Sequence, residues 1–134
     1  MEITSGQMCQ DLIALSSHVK MNMLALAEGE QLTPIQLFAL YAILQGESTM
    51  GRVACVLRCD ASNVTGIIDR LVSRGLVMRQ EGRRDRREKT LQLTEKGRDV
   101  IDGIIEKLPA ALGCECLSTA ERSTLHAAIG KLTA

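Results

Sequence analysis

Aromatic side chains are almost missing from this sequence: it has no tryptophan, and Phe38 and Tyr41 are its only phenylalanine and tyrosine. Leu, Ile, Val, Met and Ala must therefore fill the core, which favours helices over aromatic-rich sheets. Proline occurs only at positions 34 and 109, and no linker, repeat or low-complexity tract breaks the chain. A single domain over residues 1–134 is expected. No run approaches the ~18 continuous apolar residues of a membrane span, so no membrane partner is expected. The start, "MEITSGQMCQDLI", contains an acid and lacks the basic region of a signal peptide. Five cysteines (9, 55, 59, 114 and 116) are an odd count without a secretory signal. They indicate reduced thiols in a cytoplasm, not a disulfide framework. There is no glycine-rich phosphate loop and no nucleophile elbow, and His18 and His126 stand far apart in sequence. These absences argue against an enzyme, and no cofactor is expected.

Net charge is absent too, because 16 Lys/Arg balance 16 Asp/Glu. The balance conceals an uneven distribution. Residues 1–48 carry five acids against Lys20 alone, whereas residues 49–89 carry ten bases against five acids. Four arginines and a lysine crowd into "EGRRDRREK" (81–89). A basic block between acidic flanks is the footprint expected for a polyanionic partner. A charge run alone is more often a solvated loop, so its surroundings decide.

Apolar residues recur at helical spacing through residues 6–28 (Met8, Leu12, Leu15, Val19, Met23, Leu26). In "LTPIQLFALYAILQGE", Thr33 and Gln36 form a capping box, Pro34 suits the first turn, and Gly46 stops the helix. Leu37, Leu40, Tyr41 and Leu44 are expected to face inward. Residues 49–57 make a short helix. After the break "RCDA", "SNVTGIIDRLVSRG" makes another, with Val64, Ile67, Ile68, Leu71 and Val72 inward and Gly75 as its left-handed cap. Two short helices on so tight a turn form a helix-turn-helix. "LVMRQ" (76–80) and "KTLQL" (89–93) then pair as a β-hairpin. Thr94 caps a helix that Pro109 ends or kinks near Leu108. Ser118 and Glu121 cap a last helix with Leu125, Ala128, Ile129 and Leu132 inward. The fold class is mainly α with a small β-hairpin wing. A helix-turn-helix followed at once by a basic hairpin is a winged helix, and its arginines sit at the wing tip.

The run S-x-V-T-x-x-I-D-R-L-x-x-R-G-L-V (62–77), followed by D-R-R-x-K-x-x-x-L-T-x-x-G (85–97), resembles the MarR (multiple antibiotic resistance regulator) transcription factors. The resemblance covers residues 32–97 well, with "LTPIQLFALYAIL" leading into it. It implies a homodimeric DNA-binding regulator, a winged lobe at 32–97, and dimerisation helices at 6–30 and 98–134. It also implies release of DNA on binding a small-molecule effector, in the cytoplasm of a bacterium or archaeon. The wing tip here is slightly shorter than is usual in the family, and the final helices are short.

Candidate DNA-binding residues follow from chemistry. Ser62, Asn63, Thr65, Gly66 and Arg70 lie opposite the apolar stripe of their helix. Asn63 can bond adenine through two hydrogen bonds, and Gly66 leaves room for close approach. The alternative is that these residues are only the wet side of an amphipathic helix. The wing adds Arg83, Arg84, Arg86, Arg87 and Lys89. The family's usual arrangement suggests Arg86 in a minor groove, with Asp85 and Arg87 as a structural pair, or Arg87 as the inserter. Asp69 is a salt-bridge partner for a wing arginine. Met23, Leu26, Phe38 and Met50 are candidates for an effector pocket, although Met at helical spacing is more often core or dimer seam.

Two other readings stand beside this one. A thiol-based redox or metal-responsive regulator of the same fold would use Cys9, or Cys55 and Cys59, although Cys59 also reads as a small buried hydrophobe. Cys9 falls roughly where peroxide-sensing relatives keep a reactive thiol. Cys114 and Cys116 make a C-x-C, but no cluster reaches the four ligands of a structural site, and no metal is assigned. The remaining reading is a winged helix that binds only protein.

Overall fold

The computed structural model describes residues 1–82, 85, 87 and 89–134. Its elements are α1 (Ser5–Gly29), α2 (Pro34–Leu44), α3 (Met50–Leu57), α4 (Ala61–Ser73), β1 (Val77–Glu81), β2 (Lys89–Leu93), α5 (Glu95–Ala111), a 3-10 turn (Cys114–Cys116) and α6 (Thr119–Leu132). The fold is mainly helical with one antiparallel hairpin. The chain forms two compact units, one of residues 23–104 and one of residues 1–22 with 105–134.

In the first unit, local chemistry sets most helix ends. The Thr33 hydroxyl accepts from the Gln36 N–H at 3.3 Å, and the Gln36 side chain accepts from the Thr33 N–H at 3.0 Å. This reciprocal box satisfies two amide groups that an N-terminus leaves open. Helix α4 ends on Gly75 at φ 73°, with the Gly75 N–H on Val72 O and the Leu76 N–H on Leu71 O, both 2.9 Å. A left-handed cap of this kind favours glycine. Leu37, Leu40, Val53, Val64, Ile68, Leu71, Leu76, Val77 and Leu91 are buried and pack α2, α3 and α4 against the hairpin.

Tyr41 departs from its expected inward position. It is exposed, as is Phe38, while Ala39, Ala42 and Ile43 are buried. Helix α2 is apolar nearly all round, so periodicity carried no information about its outer side.

The hairpin pairs Val77 with Leu93, Arg79 with Leu91 and Glu81 with Lys89. Its first strand begins one residue later than the sequence suggested, because Leu76 completes the helix cap. Thr49 adds an isolated bridge to Thr90, and the Leu91 N–H donates to Ser48 O at 2.6 Å. The link between α2 and α3 thus ties the wing to the lobe. At the start of α5, the Thr94 hydroxyl accepts from the Gly97 N–H at 3.0 Å. A Cβ built on Gly97 would collide with the backbone carbonyl of Leu76. This position therefore excludes any side chain.

Helix α5 does not stop at Pro109 but runs to Ala111. So near the end, the missing N–H forfeits one helix bond and leaves the last turn in place.

In the second unit, the Ser118–Glu121 capping box forms, with contacts of 3.2 and 2.8 Å. The expected inward side of α6 is not covered within the chain: Leu125, Ala128, Ile129 and Leu132 are all exposed. On α1, Met8, Leu12, Ile13 and Leu15 are exposed as well. Cys114 and Cys116, the C-x-C, belong to the 3-10 turn.

Candidate nucleic-acid interface

Asp60 starts α4. Its carboxylate accepts from the Asn63 N–H and the Ser62 hydroxyl, both at 2.9 Å. The Asn63 amide bond first, then the Ser62 hydroxyl, hold its pKa below the ordinary carboxylate value. The sequence reading assigned Asp60 to the turn; the structure makes it the cap that aims the first turn outward.

Beyond that turn, Val64, Ile68 and Leu71 bury one side of α4, and the opposite side is open. The open side has two flanks. On one, Asn63, Gly66 and Arg70 line a shallow cleft with Ser62, Cys59 and Ile35 of α2. On the other, Thr65 and Asp69 line a cleft of about 450 Å³ with Met50, Gly51, Arg79 and Lys89. The residues proposed to read bases are therefore split between a side facing α2 and a side facing the wing.

The hydroxyls are partly committed. Ser62 donates to Asp60, and Thr65 donates to Ala61 O at 2.8 Å. Both remain acceptors. Among the described residues, the Asn63 amide, the Arg70 guanidinium and the Lys89 ammonium make no side-chain hydrogen bond, and all three residues are exposed. A Cβ on Gly66 would meet nothing within 4 Å. Among the described residues nothing demands glycine there.

Arg79 is not among the sequence's candidate residues, which in the wing cluster toward its tip. Its guanidinium donates to Asp69, joining strand β1 to helix α4. The partner anticipated for Asp69 was a wing arginine, and Arg79 lies in the wing's strand, not at its tip. The signal was available: a helix ending in a glycine cap returns as a strand, bringing side chains on either side of that cap together. At the tip, Asp85 accepts from the backbone N–H of Arg87 at 2.9 Å, a local turn contact and not a side-chain pair. Arg83, Arg84 and Arg86 lie outside the described residues.

The four effector-pocket candidates do not line the wing-side cleft together. Met50 lines the wing-side cleft, whose walls include neither Met23 nor Leu26 nor Phe38. Met23 and Leu26 are half-buried and Phe38 is exposed. Cys9 and Cys55 are exposed, and Cys59 is half-buried, not fully enclosed. Among the described residues no three His, Cys, Asp or Glu side chains are grouped to hold a metal, and no helix is long and apolar enough to cross a membrane.

The sequence pattern of the MarR family matches residues 32–89. The transcriptional repressor MprA of Escherichia coli (strain K12) is 38% identical over 85 residues, 60% of this chain and 47% of that protein. The chain spans about half the length of the curated relatives it matches. A MarR family protein from Bacillus stearothermophilus has the same fold, with a TM-score of 0.83 at 24% identity over 96% of this chain and 91% of its own. A cysteine-to-serine mutant of MarR from E. coli complexed with operator DNA superposes with a TM-score of 0.72 at 23% identity, covering 92% of this chain and 91% of its own. The capped outward-facing helix, the wing tied to it by an ion pair and the matched sequence pattern converge on one assignment: residues 32–89 of this chain carry the MarR family pattern on a winged helix-turn-helix fold.

Proposed function

We propose that the protein is a sequence-specific, double-stranded-DNA-binding transcriptional regulator, acting as a repressor and not as an enzyme. One observation carries the reading. The open side of α4 presents the exposed donors Asn63 and Arg70, and Lys89 and Arg79 of the wing line the cleft on its flank with Asp69 of α4. An open helix side can enter a major groove while wing cations meet phosphates alongside. The sequence between the two wing strands adds arginines 83, 84, 86 and 87, and Arg86 is the candidate for minor-groove insertion.

The active form is a homodimer. The uncovered apolar rows on α1 (Met8, Leu12, Leu15) and α6 (Leu125, Ile129, Leu132) support this, since such surface is costly to leave in water. A dimer puts two recognition helices about 34–36 Å apart on a pseudo-palindromic site. A small-molecule effector regulates the complex by favouring a dimer that fits DNA less well, which requires differential affinity for the two states. The reading implies a cytoplasmic location in a bacterial-type cell.

The test is an anisotropy titration of promoter fragments upstream of the coding region, at several salt concentrations. The expected result is saturable binding to a palindromic fragment, with a log–log salt slope of several units. Equal, weak binding to palindromic and scrambled duplexes at low salt would refute sequence-specific regulation. Sedimentation equilibrium checks the dimer.

A further inference from the structure

The C-terminal end of the recognition helix is held by more contacts than a helix cap requires. Arg74, the residue after the last turn of α4, donates through one guanidinium nitrogen to Gln31 O at 2.7 Å and through the other to Glu30 O at 2.9 Å. Those carbonyls belong to the connection between α1 and α2, where Gln31 sits in the left-handed region at φ 57°. A helix end leaves its final carbonyls without partners, and a cation is favoured there. Arg74 satisfies two carbonyls at once through a planar fork, which lysine cannot do. On the other side, the Lys96 ammonium donates to Arg74 O at 3.1 Å, the Thr94 hydroxyl donates to Gly75 O, and the Thr94 N–H donates to Leu76 O at 3.1 Å. Residues 74–76 are thus bonded to the connection that follows α1 and to the beginning of α5. Helices α1 and α5 are the two that continue out of this unit.

We infer that Arg74 is a positioning residue that fastens the recognition helix to the α1–α2 connection, so that the two move as one body and a displacement of α1 reaches the DNA-reading side of α4. The structural part stands on the geometry alone, and its consequence for DNA rests on the proposed function. Without Arg74, α4 keeps its hold on α5 through Thr94 and Lys96, so the helix stays folded and only the link to α1 is released. Groups that share a rigid connection open to solvent together; groups that lose it open separately.

Hydrogen–deuterium exchange of the full chain tests this with wild type, Arg74→Gln and Lys96→Gln. In Arg74→Gln, peptides covering residues 27–33 should exchange about tenfold faster while those covering 61–70 are unchanged, a change of about one net hydrogen bond. Lys96→Gln should leave residues 27–33 as in wild type. Adding a bound palindromic duplex should slow exchange at 27–33 in wild type and not in Arg74→Gln, although both variants protect 61–70. Unaltered exchange at 27–33 in Arg74→Gln, or equal slowing there by duplex in both proteins, overturns the inference. If wild type binds no duplex, the proposed function falls, and the exchange without DNA still decides whether the fastening exists.

Discussion

Asp69 and Arg79 stand ten residues apart in sequence and meet in space, the guanidinium of β1 donating to the carboxylate of α4. The pair spans the turn at Gly75 and sets the wing against the recognition helix. Both side chains are partly exposed, so their coupling in a stability double-mutant cycle should be only about 0.2–1 kcal/mol. Their effect on duplex affinity should be larger. Asp69→Ala and Arg79→Ala should each weaken binding, and the double variant should be no worse than the weaker single one. Additive losses in an anisotropy titration would mean that the residues act separately.

Gly66 separates stability from function. Glycine inside a helix costs roughly 0.5–1 kcal/mol relative to alanine, and nothing in the chain crowds this position. Gly66→Ala should therefore raise the melting temperature while lowering duplex affinity. A variant that is more stable and binds equally well would show that no DNA backbone approaches there.

Asn63 and Lys89 should fail in different ways. Asn63→Ala should lose about 1–3 kcal/mol of discrimination at one base position and little affinity elsewhere. Lys89→Ala should weaken binding to every duplex and lower the salt slope by about one unit. Identical losses on all sequences for both variants would mean that α4 does not read bases.

Gly97→Ala should damage the fold without touching the interface. The added methyl collides with the Leu76 carbonyl, so α5 or the start of β1 has to move, and the cost should be about 1–3 kcal/mol or more. Chemical denaturation measures it. A wild-type midpoint would show that the junction yields freely.

Asp60 makes the stability of α4 depend on pH. Its hydrogen bonds to Asn63 and Ser62 lower its pKa in the folded chain, so its contribution is complete above the unfolded value of about 3.9 and fades as pH falls through the lower folded value. Asp60→Asn keeps a good cap but cannot titrate. It should match wild type near neutrality and flatten the acid limb of a thermal-melt profile, whereas Asp60→Ala should be less stable at neutral pH.

Local signals were the legible ones. The boxes at Thr33–Gln36 and Ser118–Glu121, the caps at Thr94 and Gly75 and the apolar stripe of α4 each involve groups within a few residues, so chain order exposes them. The pole of α4 that faces water was readable for the same reason. The bridge of Thr49 to Thr90 and the fork of Arg74 on Glu30 and Gln31 were not, because their partners are brought together only by folding.

The amino-acid sequence by itself determined where most helices begin, which side of α4 is apolar, and how much positive charge follows it. These depend on periodicity, caps and composition, all short-range. Tertiary structure decided which arginine pairs with Asp69, that Gly97 must lack a side chain, that Tyr41 faces outward, and that the rows on α1 and α6 stay uncovered within one chain. Such outcomes depend on distances between segments far apart in sequence, and no local pattern encodes a distance.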